Sequence, residues 1–317
     1  MINKNTEPAK LITYNRDGLI EREHFGYVVR CSKDRLIEKL GDDKNYPFYM
    51  RSCAKPLQAA LMIDYGLDKK YDLSDKEIAV CAASHAGEKI HIETVQKILE
   101  KFEIPVSKLK CGNHLPVSKT AQTELILSGN EATVLHNNCS GKHAMMLGLC
   151  KIKDWDMDNY DNPNHPLQKE IKRKIYELCE VHSEYPVTKD GCGVPIHSMP
   201  LEHMIKGYLN LFCNPEYERI KKAFLNFPYI IGGENRTDTK IMENSTLIAK
   251  VGASGLCAVV NTEIEEGFIV KICDADMTAR EIVTIDLINN LHWANIELSH
   301  DITTHLNEKI GSIITHL

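Results

Sequence analysis

A chain of 317 residues, 43% hydrophobic and 26% charged, has the composition of a folded protein with one large domain or two closely packed lobes, not of a disordered tract. A net charge of -6 without any basic stripe argues against a nucleic-acid surface, and no apolar run approaches the ~18 residues that a membrane span needs. Eleven cysteines, none in a C-x-x-C pair, follow a start (Met1-Ile2-Asn3-Lys4) with no apolar leader, which points to a reducing compartment, the cytoplasm.

In chain order, the first fifty residues read as strands. Leu11-Ile12-Thr13-Tyr14 is short and β-prone, Asn15-Arg16-Asp17-Gly18 is a turn, residues 25–31 form a second strand, and Gly41-Asp42-Asp43 turns again. The middle reads as helices. Ser74-x-x-Glu77 is a capping box, and Ile92, Val95, Leu99 and Phe102 recur at helical spacing, as do Leu167, Ile171, Ile175 and Leu178. Asn214-Pro215 opens another helical run, to Leu225. The end returns to strands at 247–251, 256–261 and 268–273, then a helix at 278–293; the last twenty residues carry no pattern that assigns them. This order predicts an α+β protein. One antiparallel sheet is built from about 1–60 and 245–317, a helical lobe spans about 61–244, and a cleft between the two lobes holds the site of a single functional unit.

Five segments carry side chains that could do chemistry. In Arg51-Ser52-Cys53-Ala54-Lys55-Pro56, a lysine one helical turn after a serine can take the hydroxyl proton if burial lowers its pKa. Taken alone, this spacing also fits an N-cap serine with an exposed lysine, and Ser107-x-x-Lys110 repeats it. Cys81-Ala82-Ala83-Ser84-His85-Ala86-Gly87-Glu88 combines small residues with Ser-His, a composition that equally suits a helix end capped by Gly87. His136-Asn137-Asn138-Cys139-Ser140-Gly141-Lys142-His143 is a loop dense in reactive groups, without the spacing of a phosphate loop. Lys189-Asp190-Gly191-Cys192-Gly193-Val194-Pro195 is tightly turned around a cysteine. Lys250-Val251-Gly252-Ala253-Ser254-Gly255 lets a ligand approach a strand end.

Together and in this order, the five segments resemble the rhizobial-type L-asparaginases, and Cys111-Gly112-Asn113-His114, Asn164-His165-Pro166 and Gly232-Gly233-Glu234 add to the likeness. The resemblance spans about residues 10–290. It implies a serine β-lactamase-like fold shared with serine-dependent glutaminases, hydrolysis of the side-chain amide of L-asparagine to aspartate and ammonia, and a homodimer. It also implies two Ser–Lys tandems, Ser52 with Lys55 and Ser84 with Lys250, and a zinc site from Cys139, Lys142 and Cys192. On chemistry alone the two cysteines are the stronger zinc ligands, since lysine must be neutral to ligate, and His143 is a reasonable substitute. Charge then assigns Arg51 to the substrate α-carboxylate and Asp190 to its α-ammonium. The sequence differs from the family pattern at Ser254, where Glu or Asp is common, and at Ala275, where Gly is usual. Two rival readings are a glutaminase on the same fold and a non-catalytic zinc-binding protein, in which Cys139 and Cys192 staple loops.

Overall fold

The computed structural model describes residues 6–317. An opening meander of β1 (Ala9–Arg16), β2 (Leu19–Ser32) and β3 (Leu36–Leu40) leads to the short β4 (Phe48–Tyr49). The helical middle begins with α1 (Lys55–Asp64), α2 (Leu67–Lys70), α3 (Asp75–Cys81), α4 (Lys89–Lys101), α5 (Lys119–Leu127), α6 (Ser140–Lys153) and α7 (Pro166–Leu178). After β5 (Val187–Lys189) and β6 (Pro195–Met199) it continues through α8 (Leu201–Phe212), α9 (Glu218–Asn226), α10 (Pro228–Ile231) and α11 (Thr237–Glu243). The chain closes with β7 (Ile248–Gly252), β8 (Leu256–Asn261), β9 (Glu266–Ile272), α12 (Met277–Asn290), β10 (Asp301–Thr303) and β11 (Lys309–Thr315).

The two ends of the chain build one eight-stranded antiparallel sheet in the order β10-β11-β1-β2-β9-β8-β7, with β3 also on β2. This is the α+β arrangement expected. The weakly patterned last twenty residues supply two of its strands. β7, β8 and β9 do not alternate between buried and exposed residues, because the sheet is covered on both faces. Successive residues of β9 show this: Gly267 lies against Ile205 of α8, while the Phe268 ring packs 5.5 Å from Trp293, just beyond α12. β4, β5 and β6 form a separate small sheet.

Within the middle, α1 is the central helix, and every residue from Lys55 to Met62 is buried. The capping box at Ser74 forms as expected, with Glu77 N–H donating to Ser74 Oγ and Ser74 N–H to Glu77 Oε2. Asn214 caps only a single tight turn before α9 begins at Glu218. Gly87 does not end α3; that helix stops at Cys81, and Ser84 to Glu88 form a loop.

Between β9 and α12, Ala275 holds φ +66°, a conformation that costs a residue with a Cβ about 1–2 kcal/mol. Ala275→Gly is expected to stabilise the fold by about 1 kcal/mol, seen as a higher denaturant midpoint with an unchanged slope.

Candidate active site

The turn that precedes α1 sets the first part of the site. Arg51 adopts φ +49°, and Ser52 is half-buried in the 3-10 turn that follows. Pro56 sits in the first turn of α1, where a missing N–H costs nothing, so the helix begins directly behind the serine. Lys55, only 1% exposed, points into the protein. Its ammonium donates to Ala83 O at 2.7 Å, Ser84 Oγ at 3.0 Å and Asn138 O at 3.1 Å. Burial pushes its pKa below the 10.5 of a free lysine.

Close backbone packing brings those acceptors together. A Cβ on Gly141 would overlap Val80 O, so only glycine lets the start of α6 dock on the end of α3. Ser84 is fixed by its N–H to Ile231 O at 3.0 Å. His85 supports the same junction. Its Nδ1 accepts from Gly87 N–H, so Nε2–H donates to Ser140 Oγ at 2.9 Å, which donates on to Leu135 O. Burial holds this imidazole neutral.

The pairing of lysines with hydroxyls differs from the two expected tandems. Among the described residues, Lys55 hydrogen-bonds Ser84 and not Ser52. Lys250, 0% exposed, hydrogen-bonds Asp238 Oδ2 at 3.1 Å and Val251 O at 3.0 Å, and not Ser84. Asp238, equally buried, also accepts from Val251 N–H at 3.2 Å. Burial alone would raise the Asp238 pKa, but Lys250 and Arg236 hold the carboxyl below its usual range. Lys250 and Asp238 form a buried ion pair, and two of the three Lys250 N–H groups are spent on it and on Val251 O. The end of β7 lies against the serine turn. A Cβ on Gly252 would stand 2.9 Å from Cys53 Sγ and 3.3 Å from Met50 O. The serine turn and the end of β7 are thus neighbours.

Arg51 and Asp190, expected at opposite ends of a substrate, hold each other. Arg51 Nε donates to Asp190 Oδ1 at 2.9 Å and Nη1 to Ser254 Oγ at 3.3 Å. Beyond Asn138, Lys142 Nζ donates to Cys192 Sγ at 3.0 Å, and the Cys139 thiol donates to Asn138 Oδ1 at 3.2 Å. The neighbouring Cys139, first, and the Lys142 ammonium outweigh burial and pull the Cys192 thiol down to about 4.

A model of the family described as L-asparaginase II matches residues 12–313, nearly the whole chain. The chain belongs to the L-asparaginase II family. It is an asparaginase-type amidohydrolase, and among its described residues no helix is long and apolar enough to cross a membrane. No curated protein sequence matches it. It is similar in structure to a β-lactamase from Mycobacterium bovis, at 11% identity and TM-score 0.44 over 84% of this chain and 95% of that one. It is also similar to a putative β-lactamase from Bacteroides dorei, at 13% identity and TM-score 0.44 over 83% and 93%. At these scores the likeness adds nothing to the topology given above.

Whether this family member's sulfur cluster fits a metal can be tested on its donors. Among the described residues, no three or more His, Cys, Asp or Glu side chains form a group that could hold a metal ion. His143 bonds the Tyr160 hydroxyl through Nδ1 at 2.7 Å, and its buried Nε2 has no hydrogen-bond partner. The available set is the two sulfurs and the Lys142 amine, which fits a thiophilic divalent ion once Lys142 gives up its proton. Against burial, which lowers it, the Cys192 and Cys139 sulfurs raise the Lys142 pKa above that of a free lysine.

The functional residue that sequence reasoning missed is Asp238. In Thr237-Asp238-Thr239 it reads as an acid in a helix first turn, and nothing local signals that a strand lysine will meet it.

Proposed function

We propose that the protein hydrolyses L-asparagine to L-aspartate and ammonia by acyl transfer through Ser52. What supports this reading is the buried Lys55 ammonium 3.0 Å from Ser84 Oγ, one helical turn from Ser52, in a chain of the L-asparaginase II family. Burial makes the neutral amine accessible, so Lys55 can remove the Ser52 proton as Oγ attacks the amide carbon. Ser52 is the nucleophile because it is half-exposed, whereas Ser84 is 3% exposed. The N–H groups beside Gly252 and at Ser52 receive the oxyanion. The proton taken by Lys55 passes through Ser84 to the leaving nitrogen, which departs as ammonia. Water then attacks the aspartyl ester with Lys55 again as base, and Ser52 recovers its proton. The Lys250–Asp238 ion pair, neutral as a whole, fixes the end of β7 behind this centre. A zinc ion held by Cys139, Lys142 and Cys192 would tie the loop before α6 to the loop at 190–193. The protein works as a cytoplasmic homodimer in this reading.

The test is ammonia release from L-asparagine and L-glutamine at equal concentrations, with metal content measured on the same preparation. A strong preference for asparagine is the expected result. Dominant glutamine turnover would move the protein to the glutaminases, and no release from either by folded protein would overturn the reading. A fluorophosphonate probe should label the wild type and fail to label Ser52→Ala.

A further inference from the structure

Arg51 stands immediately before Ser52, and its side chain, 34% exposed, holds two other segments of the site at once. Nε donates to Asp190 Oδ1 at 2.9 Å, in the loop that carries Cys192, and Nη1 donates to Ser254 Oγ at 3.3 Å, in the turn that follows Gly252. Arg51, at φ +49°, and Ser254, at φ +62°, both lie in the left-handed region, a strain on residues with a Cβ that clusters at functional sites. One of the two acceptors is a carboxylate and the other a neutral hydroxyl, so the guanidinium carries one counter-charge and not two. Among the described residues nothing accepts from Arg51 Nη2, and nothing donates to Asp190 Oδ2. An α-amino acid carries its carboxylate and its ammonium on one carbon. A guanidinium and a carboxylate held side by side, each with a free polar atom, match that pair of opposite charges.

We propose that Ser254 is a positioning residue that sets the affinity for the substrate's α-carboxylate: its hydroxyl aims the Arg51 guanidinium without neutralising it. This rests on the function proposed above. A carboxylate in place of the hydroxyl would give the Arg51–Asp190 pair a net negative charge, which repels the α-carboxylate, and would take up a donor that the substrate needs. The turn stands at the reacting centre. Ser254 follows Gly252 by two residues, and a Cβ on Gly252 would lie 2.9 Å from Cys53 Sγ, next to Ser52.

The experiment compares Ser254→Asp with Ser254→Asn, which has the same shape and no charge. Both new side chains tolerate the left-handed region, so neither variant adds strain to the turn. Ser254→Asp should raise KM for L-asparagine at least about tenfold with kcat nearly unchanged, as for the loss of one charged hydrogen bond, and Ser254→Asn should raise it by about threefold or less. KM for the α-carboxamide of L-asparagine, which lacks that carboxylate, should not rise in Ser254→Asp. Binding of L-aspartate and L-glutamate, measured by calorimetry in the Ser52→Ala background, should weaken on adding Ser254→Asp by the factor seen in KM. If both variants raise KM equally, or if Ser254→Asp lowers kcat and leaves KM in place, the proposal is overturned. The binding measurement separates this inference from the proposed hydrolysis. A wild type that releases no ammonia, with amino-acid binding that Ser254→Asp still weakens, would overturn the hydrolysis and keep the role of Ser254. Ser52→Ala protein that binds neither amino acid would overturn the role of Ser254 itself.

Discussion

Replacing Lys55 by methionine is expected to lower ammonia release from L-asparagine by about 10³-fold, within the range for loss of a general base. Methionine keeps the length and fills the same buried space. The exchange leaves Ala83 O and Asn138 O without a donor, at about 1–3 kcal/mol each, and removes the cost of burying an ammonium, so the folding midpoint should move little. The pH dependence gives an independent reading. Burial depresses the Lys55 pKa below 10.5, so the wild-type rate should rise with pH as the amine loses its proton, with that limb ending below 10.5. Stability follows the same sign. The contribution of this depressed group is fully present above the unfolded pKa and is lost as pH falls through the folded one. A methionine variant with more than a tenth of wild-type activity would remove Lys55 from the mechanism.

Asp238→Asn should be the most damaging single change to the fold near the site. It leaves the buried Lys250 ammonium without its counter-charge, a loss of about 3–5 kcal/mol. Chemical denaturation followed by tryptophan fluorescence would measure it. The double variant Asp238→Asn with Lys250→Met should recover much of that loss, because the unpaired charge leaves with its partner; no recovery would show that Asp238 acts through Val251 N–H instead. In the wild type the depressed Asp238 pKa contributes stability that is present above 3.8 and is lost as pH falls through the lower folded value.

The parts of this molecule that were legible in its sequence are those set by local rules. Ser74 with Glu77, Pro56 behind the serine turn, and the apolar runs of β7 to β9 all carry their signals within a few residues. β10 and β11 do not. They are half-exposed strands, and β11 is placed by pairing with β1 from the opposite end of the chain. The candidate site divides in the same way. The serines, lysines and cysteines stood out by type and order, but their pairing depends on docking that no window of sequence contains. Ser52-x-x-Lys55 suggests a partnership one turn long, yet the Lys55 amine reaches Ser84 because Gly141 lets α6 sit on Val80. Charge alone placed Arg51 and Asp190 at a ligand; packing places them 2.9 Å apart.

The pairing of β2 with β9 also governs how the molecule comes into being. A chain emerging from its N-terminus makes β1, β2 and β3 long before β9 exists, so the edge of β2 that β9 will cover waits open while the intervening helices are made. Closing so long a loop is a slow step, in the range of milliseconds to seconds for sheets dominated by distant pairings. Lys250 rides in on β7, which is made only after the whole helical middle. The reacting centre is therefore assembled near the end of folding, and refolding protein should regain helix signal well before it regains activity.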